Sequence, residues 1–442
     1  MRIDRLTIQN FNGFDRREFN FNPRFNLLVG DNGAGKTSIL DALNIAIGSW
    51  FIGLKGYSKP PGIDADEVRV SSKPYKDRFF FEPQFPCRIE AHGCVMGTDV
   101  SWAREIRSPK GKTTTKDARR ISEIAQSAQI AVQDEASQNG QDVTLPLLTS
   151  YGVERLWFET GTRIRKAASP PLRQSPSRLR AYETCLKWEI QESALLKWAK
   201  SEISKTEHLR QETVGLRILR DAIANCVEGA KSFYYDWELE DIVVNLEKDG
   251  PQLFRNLSDG QRIMLTMIGD LARRAASLNP HLEELAVQQT PGVVLIDELD
   301  LHLHPNWQRR VISDLKRTFP AIQFIVTSHS PQLIGEARPE EIFLLEEGGV
   351  YHPERSFGID SSRILTEVMQ SRDRTPEAKE LQSQIARLVD HERFDEAKQL
   401  IAKLEKMVGE NDPEVLRPRG IIRFLETASL ERSPKGVNLT AS

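Results

Sequence analysis

Cysteine is scarce in this chain: Cys87, Cys94, Cys185 and Cys226 are the four, and they are scattered. Such spacing excludes a disulfide framework and fits a reducing compartment. No run of about eighteen apolar residues occurs, so nothing reads as a membrane-spanning helix. The opening residues, MRIDRLTIQNFNGF, lack the long apolar core of a signal peptide, and a cytoplasmic location is expected. No long heptad array appears, which excludes an extended coiled coil. Net charge is only −3, so the whole-chain charge does not point to nucleic acid. Acidic residues are locally missing between Glu159 and Glu183, where Arg163, Arg165, Lys166, Arg173, Arg178 and Arg180 stand among Ser and Pro. That stretch, like Arg104 to Arg120, reads either as a solvated loop or as a phosphate-contacting patch for DNA or RNA.

What is present is an α/β pattern. Apolar residues alternate at Ile3, Leu6, Ile8 and Phe11, then at Phe19 and Phe21, which predicts two strands joined at Asn12–Gly13. Phe25 to Val29 reads as a buried strand and Ser38 to Ile47 as a helix. Residues 51–84, rich in Pro, Gly, Lys and Asp, are expected to form an insertion loop. Residues 87–107 read as a hairpin, 117–137 as a helix, Leu145 to Tyr151 as a strand, and Leu179 to Val227 as helical. Strands at Ile242–Leu246, Val293–Ile296, Phe324–Thr327 and Ile342–Leu345 follow, the last three separated by helices as in a parallel sheet. A helical pair, Glu377–Leu388 and Phe394–Val408, closes the pattern. The domains expected are an N-terminal lobe (1–178), a helical insertion (179–232), a C-terminal lobe (233–360), a helical region (361–432) and a disordered tail (433–442).

Gly30-Asp31-Asn32-Gly33-Ala34-Gly35-Lys36-Thr37 matches the P-loop pattern G-x-x-x-x-G-K-[ST], between a strand and a helix where such a loop belongs. Its glycines let backbone N–H groups turn toward phosphates, and the helix start adds its dipole. Lys36 supplies a cation to the β and γ phosphates of ATP, and Thr37 supplies a hydroxyl to Mg2+. Gly30, Asn32, Gly33, Ala34, Gly35, Lys36, Thr37 and Ser38 are thus the expected nucleotide contacts. Val293-Val294-Leu295-Ile296-Asp297-Glu298 is an apolar strand ending in two carboxylates. Beside a P-loop, Asp297 is expected to hold the metal through water and Glu298 to activate the attacking water. Cys87, His92 and Cys94 read as a metal site lacking a fourth ligand or, more plainly, as two ordinary thiols on a strand.

Further motifs resemble the ABC ATPase superfamily. Leu257-Ser258-Asp259-Gly260-Gln261 is similar to its LSGGQ signature, with Asp259 where glycine is commonest. Leu299-Asp300-Leu301 resembles the D-loop, and Thr327-Ser328-His329-Ser330 the switch-histidine segment, in the family's order. The resemblance implies a homodimer or higher homo-oligomer that sandwiches two ATPs. Ser258, Gly260 and Gln261 of one subunit would then meet the γ-phosphate held by Lys36 of the other, and His329 would sense it. Ser258 also reads as a plain helix N-cap. A glutamine for the Q-loop is not identifiable near Tyr151–Arg155. Roughly 220 residues separate P-loop and signature, which fits the compact RecF-like and OLD-like branch. Within it, the runs Asp297 to Gln308 and Tyr151 to Trp157 resemble the Septu-type anti-phage ATPases (PtuA), relatives of which accompany some retrons. His302 and His304 would flank the D-loop at a dimer seam rather than bind metal. The resemblance implies a regulatory ATPase acting with an HNH nuclease (PtuB-like) partner, since this chain carries no nuclease cluster of its own. The alternative is a RecF-like repair or recombination ATPase acting directly on DNA.

Overall fold

A computed structural model describes residues 1–57, 60–75, 78–136, 142–153, 177–189, 192–227, 229–346 and 349–432. The tail expected to be disordered, the end of the Tyr151–Trp157 run and most of the basic stretch after Glu159 lie outside them. The chain divides into two compact units, Met1–Ile364 and Leu365–Ser442.

The first unit is built on a six-stranded sheet in the order Gly349–Tyr351, Ile342–Glu346, Phe25–Gly30, Ile322–Thr327, Gly292–Ile296, Leu147–Tyr151. All neighbours pair in parallel except the Gly349–Tyr351 edge strand. Central strands covered on both faces must be apolar throughout, and Gly292–Ile296 and Ile322–Thr327 are buried at every position. One polar residue inside them, Gln323, has a partner that accounts for it. Its Oε1 accepts the Ile3 N–H at 2.8 Å and its Nε2 donates to the Ile3 carbonyl at 2.7 Å. The side-chain amide thereby fastens the central sheet to a second, antiparallel one, ordered Phe14–Asn20, Arg2–Phe11, Cys87–Val95, Thr98–Ile106. The helix Lys36–Gly48 touches strands of both sheets and buries Ile39, Leu40, Leu43 and Ile47. Trp102 of the second sheet donates its indole N–H to the Ala46 carbonyl at 2.9 Å.

Three segments depart from the sequence reading. The presumed insertion loop contains a hairpin, Val70–Tyr75 against Arg78–Pro83; its Pro and Lys content masked a ribbon whose side chains are largely exposed. The strand at Asp241–Leu246 is the middle of a three-stranded sheet with Ala230–Asp236 and Gly250–Leu253, whose outer strands carry too few buried residues to show a period. The predicted helical pair is real, as Pro376–Asp390 and Phe394–Val408, but a third helix, Pro413–Arg432, joins it. That helix falls within the 361–432 stretch expected to be helical, and Pro418 inside it obscured its bounds. These three make up the second unit, with Leu381, Ile385, Ala397, Ile401, Leu404, Val415 and Ile422 buried together.

Cys87 and the pair His92 and Cys94 lie on one strand that alternates buried and half-buried positions. Cys87 faces inward, while the other two point to the opposite face, so the three do not converge.

Candidate nucleotide site

In a parallel sheet the chemistry collects beyond the carboxyl ends of the strands. Here three neighbouring strands deliver the P-loop, the acidic pair and the Ser328–Ser330 segment to the same edge. The P-loop begins where Phe25–Gly30 ends and feeds the helix Lys36–Gly48. Gly33 and Gly35 sit at φ 84° and 91°, the left-handed region that glycine enters without strain. A Cβ on Gly35 would come within 2.5 Å of the Phe14 ring, so that aromatic presses directly on the loop. Asp31, Asn32 and Gly33 are exposed, as a loop that receives a ligand must be.

Lys36 is buried, and its Nζ donates to the carbonyls of Gly30 at 2.8 Å and Asp31 at 2.9 Å. Burial lowers its pKa, while Asp297, Asp31 and Glu298 work to keep it charged. The Thr37 hydroxyl donates to Asp297 Oδ2 at 3.2 Å, and the Thr327 hydroxyl donates to Asp297 Oδ1 at 2.6 Å. A third carboxylate, Asp41, lies one helical turn beyond Thr37. Burial and then the charge of Asp297 push its pKa up to about 6.

Glu298 takes φ 51°, a left-handed conformation that costs a side-chain-bearing residue about 1–3 kcal/mol. The turn is held from the next strand: the Glu298 N–H donates to Thr327 Oγ1 at 2.7 Å and the Leu299 N–H to the Thr327 carbonyl at 2.9 Å. Thr327 therefore holds the Asp297 carboxylate through its hydroxyl proton and the Glu298 backbone through its oxygen lone pair. In the sequence Thr327 stands out only as the first residue of the switch-like segment Thr327–Ser330.

The oxygen donors present suit Mg2+, which takes one or two protein ligands and leaves its other positions to water and phosphate. Thr37 and Asp297 would hold it, and the bound ion would neutralise phosphate charge.

The signature-like residues are placed differently. Ser258 caps the helix Asp259–Leu278 in a capping box: its Oγ accepts the Gln261 N–H, and Gln261 Oε1 accepts the Ser258 N–H at 3.0 Å. The plain N-cap reading thus holds within the single chain, and Ser258 is exposed at the surface. Gly260 is buried with room for nothing larger, since a Cβ would fall 2.4 Å from the His302 carbonyl oxygen. The helix start consequently rests on the Leu299–Leu303 segment. His302 adopts φ 59°, and His304 caps the short helix Pro305–Gln308 by accepting the Asn306 N–H on Nδ1. His329 is half-buried between Ser328 and Ser330.

Two basic residues singled out on sequence have structural partners. Arg178 donates to the Leu278 carbonyl at 2.8 Å and the Val143 carbonyl at 2.5 Å. Arg104 is buried and donates to the Thr114 and Pro61 carbonyls. Both close backbone ends instead of offering charge to phosphate. Arg163, Arg165, Lys166 and Arg173 are outside the described residues.

A family model described as AAA domain matches residues 5–225, half of the chain. A second family model, described as "AAA domain, putative AbiEii toxin, Type IV TA system", matches residues 194–335. The retron Ec83 probable ATPase of Escherichia coli is 26% identical, over 93% of this chain and 85% of that protein. The Septu protein PtuA of Bacillus thuringiensis is 30% identical over 39% of this chain and 46% of its own. Among solved structures, an SMC head bound to the C-winged helix domain of ScpA shares 15% identity at a TM-score of 0.48, covering 80% of this chain and 97% of its own. With its P-loop and acidic pair brought to one edge of a parallel sheet by strands on either side of Ile322–Thr327, the chain belongs to the AAA-domain family of ABC-type ATPases.

Proposed function

We propose that this chain is the ATP-hydrolysing, regulatory subunit of an anti-phage defence complex that controls a partner nuclease. The observation that carries the hydrolytic half is the Thr37–Asp297–Thr327–Glu298 junction at the P-loop. Lys36 exchanges its carbonyl contacts for the β and γ phosphates, a stronger, charge-assisted set. The N–H groups from Gly30 to Ser38 cradle the triphosphate, Thr37 and Asp297 hold Mg2+, and Glu298 takes the proton of the attacking water. Ser258, Gly260 and Gln261 of a second copy close over the γ-phosphate, and His329 of the first copy senses it. The exposure of Ser258 and the close fit of Gly260 on the His302 carbonyl are consistent with that arrangement.

Similarity to the retron Ec83 ATPase along nearly the whole chain, and to PtuA over a shorter span, supports the defence role. An HNH nuclease is the partner this reading requires. Purification from the native operon, followed by mass spectrometry, tests it. A stoichiometric HNH nuclease is the expected companion. A chain that emerges alone or with repair proteins would overturn the defence reading in favour of the RecF-like one.

A further inference from the structure

The segment that carries His329 and the D-loop-like turn meet at one side chain, Gln308, which ends the Asp297–Gln308 run and to which the sequence assigns no role. It ends the short helix Pro305–Gln308 and is half-buried. Its Nε2 donates to the Leu303 carbonyl at 2.9 Å and lies 3.4 Å from the Asp300 carbonyl. Its Oε1 accepts the Ser330 hydroxyl proton at 2.8 Å. Two carbonyls can only accept, so they fix which end of the amide faces them and leave the oxygen for Ser330. The Ser330 oxygen in turn accepts the Leu333 N–H at 3.2 Å, and the Ser330 N–H donates to Ser328 Oγ at 2.9 Å. Both residues flanking His329 are therefore held, and Gln308 ties that hold to Asp300 and Leu303. Between those two lies His302, whose carbonyl is the surface on which Gly260 rests.

We infer that Gln308 is a positioning residue that sets His329 and the Leu299–Leu303 turn as one piece, so that γ-phosphate sensing and the seating of the signature helix move together. The inference rests on the hydrolytic reading above and deepens it. Gln308 touches neither nucleotide nor metal in this role. Its loss should slow turnover without weakening nucleotide binding.

The test uses the full chain with Gln308→Met, close to Gln in size but without donor or acceptor, and Gln308→Asn, which keeps the amide but is one methylene too short to reach both sides. MgATP affinity is read with a fluorescent ATP analogue and turnover by phosphate release. Gln332→Ala, which removes only the alternative acceptor 3.1 Å from Ser330 Oγ, is the control and should match wild type. The expected result is at least a tenfold fall in kcat for Gln308→Met, a smaller fall for Gln308→Asn, and nucleotide affinity within about twofold of wild type in both. Unchanged kcat, or a parallel loss of affinity and turnover, would overturn the inference. Should Gln308→Met fail to fold, the same split in Gln308→Asn decides. A wild-type chain without ATPase activity would instead mark the failure of the hydrolytic reading.

Discussion

Glu67 sits half-buried on the short turn Ala65–Glu67, where its Oε2 accepts the Asp64 N–H at 2.7 Å. Burial pushes its pKa from 4.5 up to about 7, against the pull of that hydrogen bond and with help from Asp41. A carboxyl whose folded pKa exceeds its unfolded one favours the fold while protonated. Its contribution is fully present below about pH 4.5 and is lost as pH rises through about 7. Glu67→Gln keeps an acceptor for Asp64 and removes the titration. Wild-type Tm should therefore fall relative to the variant between about pH 5 and pH 8; parallel Tm–pH curves would contradict the assignment. At this scale the sequence was legible where chemistry and spacing coincide. Lys36 and Thr37 are fixed by one loop, and Asp297 and Glu298 by the end of an apolar strand. Thr327 and Gln308 stand in recognisable runs, but their roles are not legible there because their partners lie 30 and 22 residues away. Only the folded sheet brings such residues together, and neither Thr nor Gln carries a charge that would single it out.

Among elements, the helix Asp259–Leu278 positions the signature-like residues, and it is anchored at its middle. Asp270 is buried, bonded to Arg274 at 2.7 Å and Arg273 at 2.6 Å, and it accepts the Tyr151 hydroxyl at 2.9 Å. Burial opposes its ionisation, but the two guanidinium groups outweigh burial and hold its pKa well below the usual carboxylate range. Tyr151 also accepts the Asp297 N–H on its carbonyl. The helix Asp259–Leu278 is thus joined to the strand end that presents Asp297. Asp270→Ala leaves Arg274 buried without its counter-charge, and chemical denaturation should show a loss of about 3–5 kcal/mol. The pair's contribution is complete above the ordinary carboxylate pKa, near 4, and is lost as pH falls through the lower folded value. A loss below 1 kcal/mol at neutral pH would contradict this anchoring. Regular strands were easy to read because full burial leaves an unbroken apolar run. The Val70–Pro83 hairpin and the strand Ala230–Asp236 were not, since exposed ribbons bury too little to leave a pattern.

At the scale of the molecule the two units differ in what holds them. Met1–Ile364 relies on interlocked sheets, whereas the three helices after Leu365 share a core of their own. Expressed alone, residues 365–432 should be helical by circular dichroism and should unfold cooperatively on heating. A gradual, non-cooperative loss of signal would show that this core is insufficient by itself. Among the described residues no helix is long and apolar enough to cross a membrane. The central claim is that this chain turns over ATP through Glu298. It is tested most directly by phosphate release from wild type and Glu298→Gln, with ATP binding measured on both and Lys36→Ala as the binding-deficient reference. Losing a positioned base should lower turnover by about 10²–10⁴-fold. Glu298→Gln should still bind ATP and accumulate as a closed dimer, while Lys36→Ala should bind none. A Glu298→Gln chain that hydrolyses ATP at the wild-type rate would contradict the account.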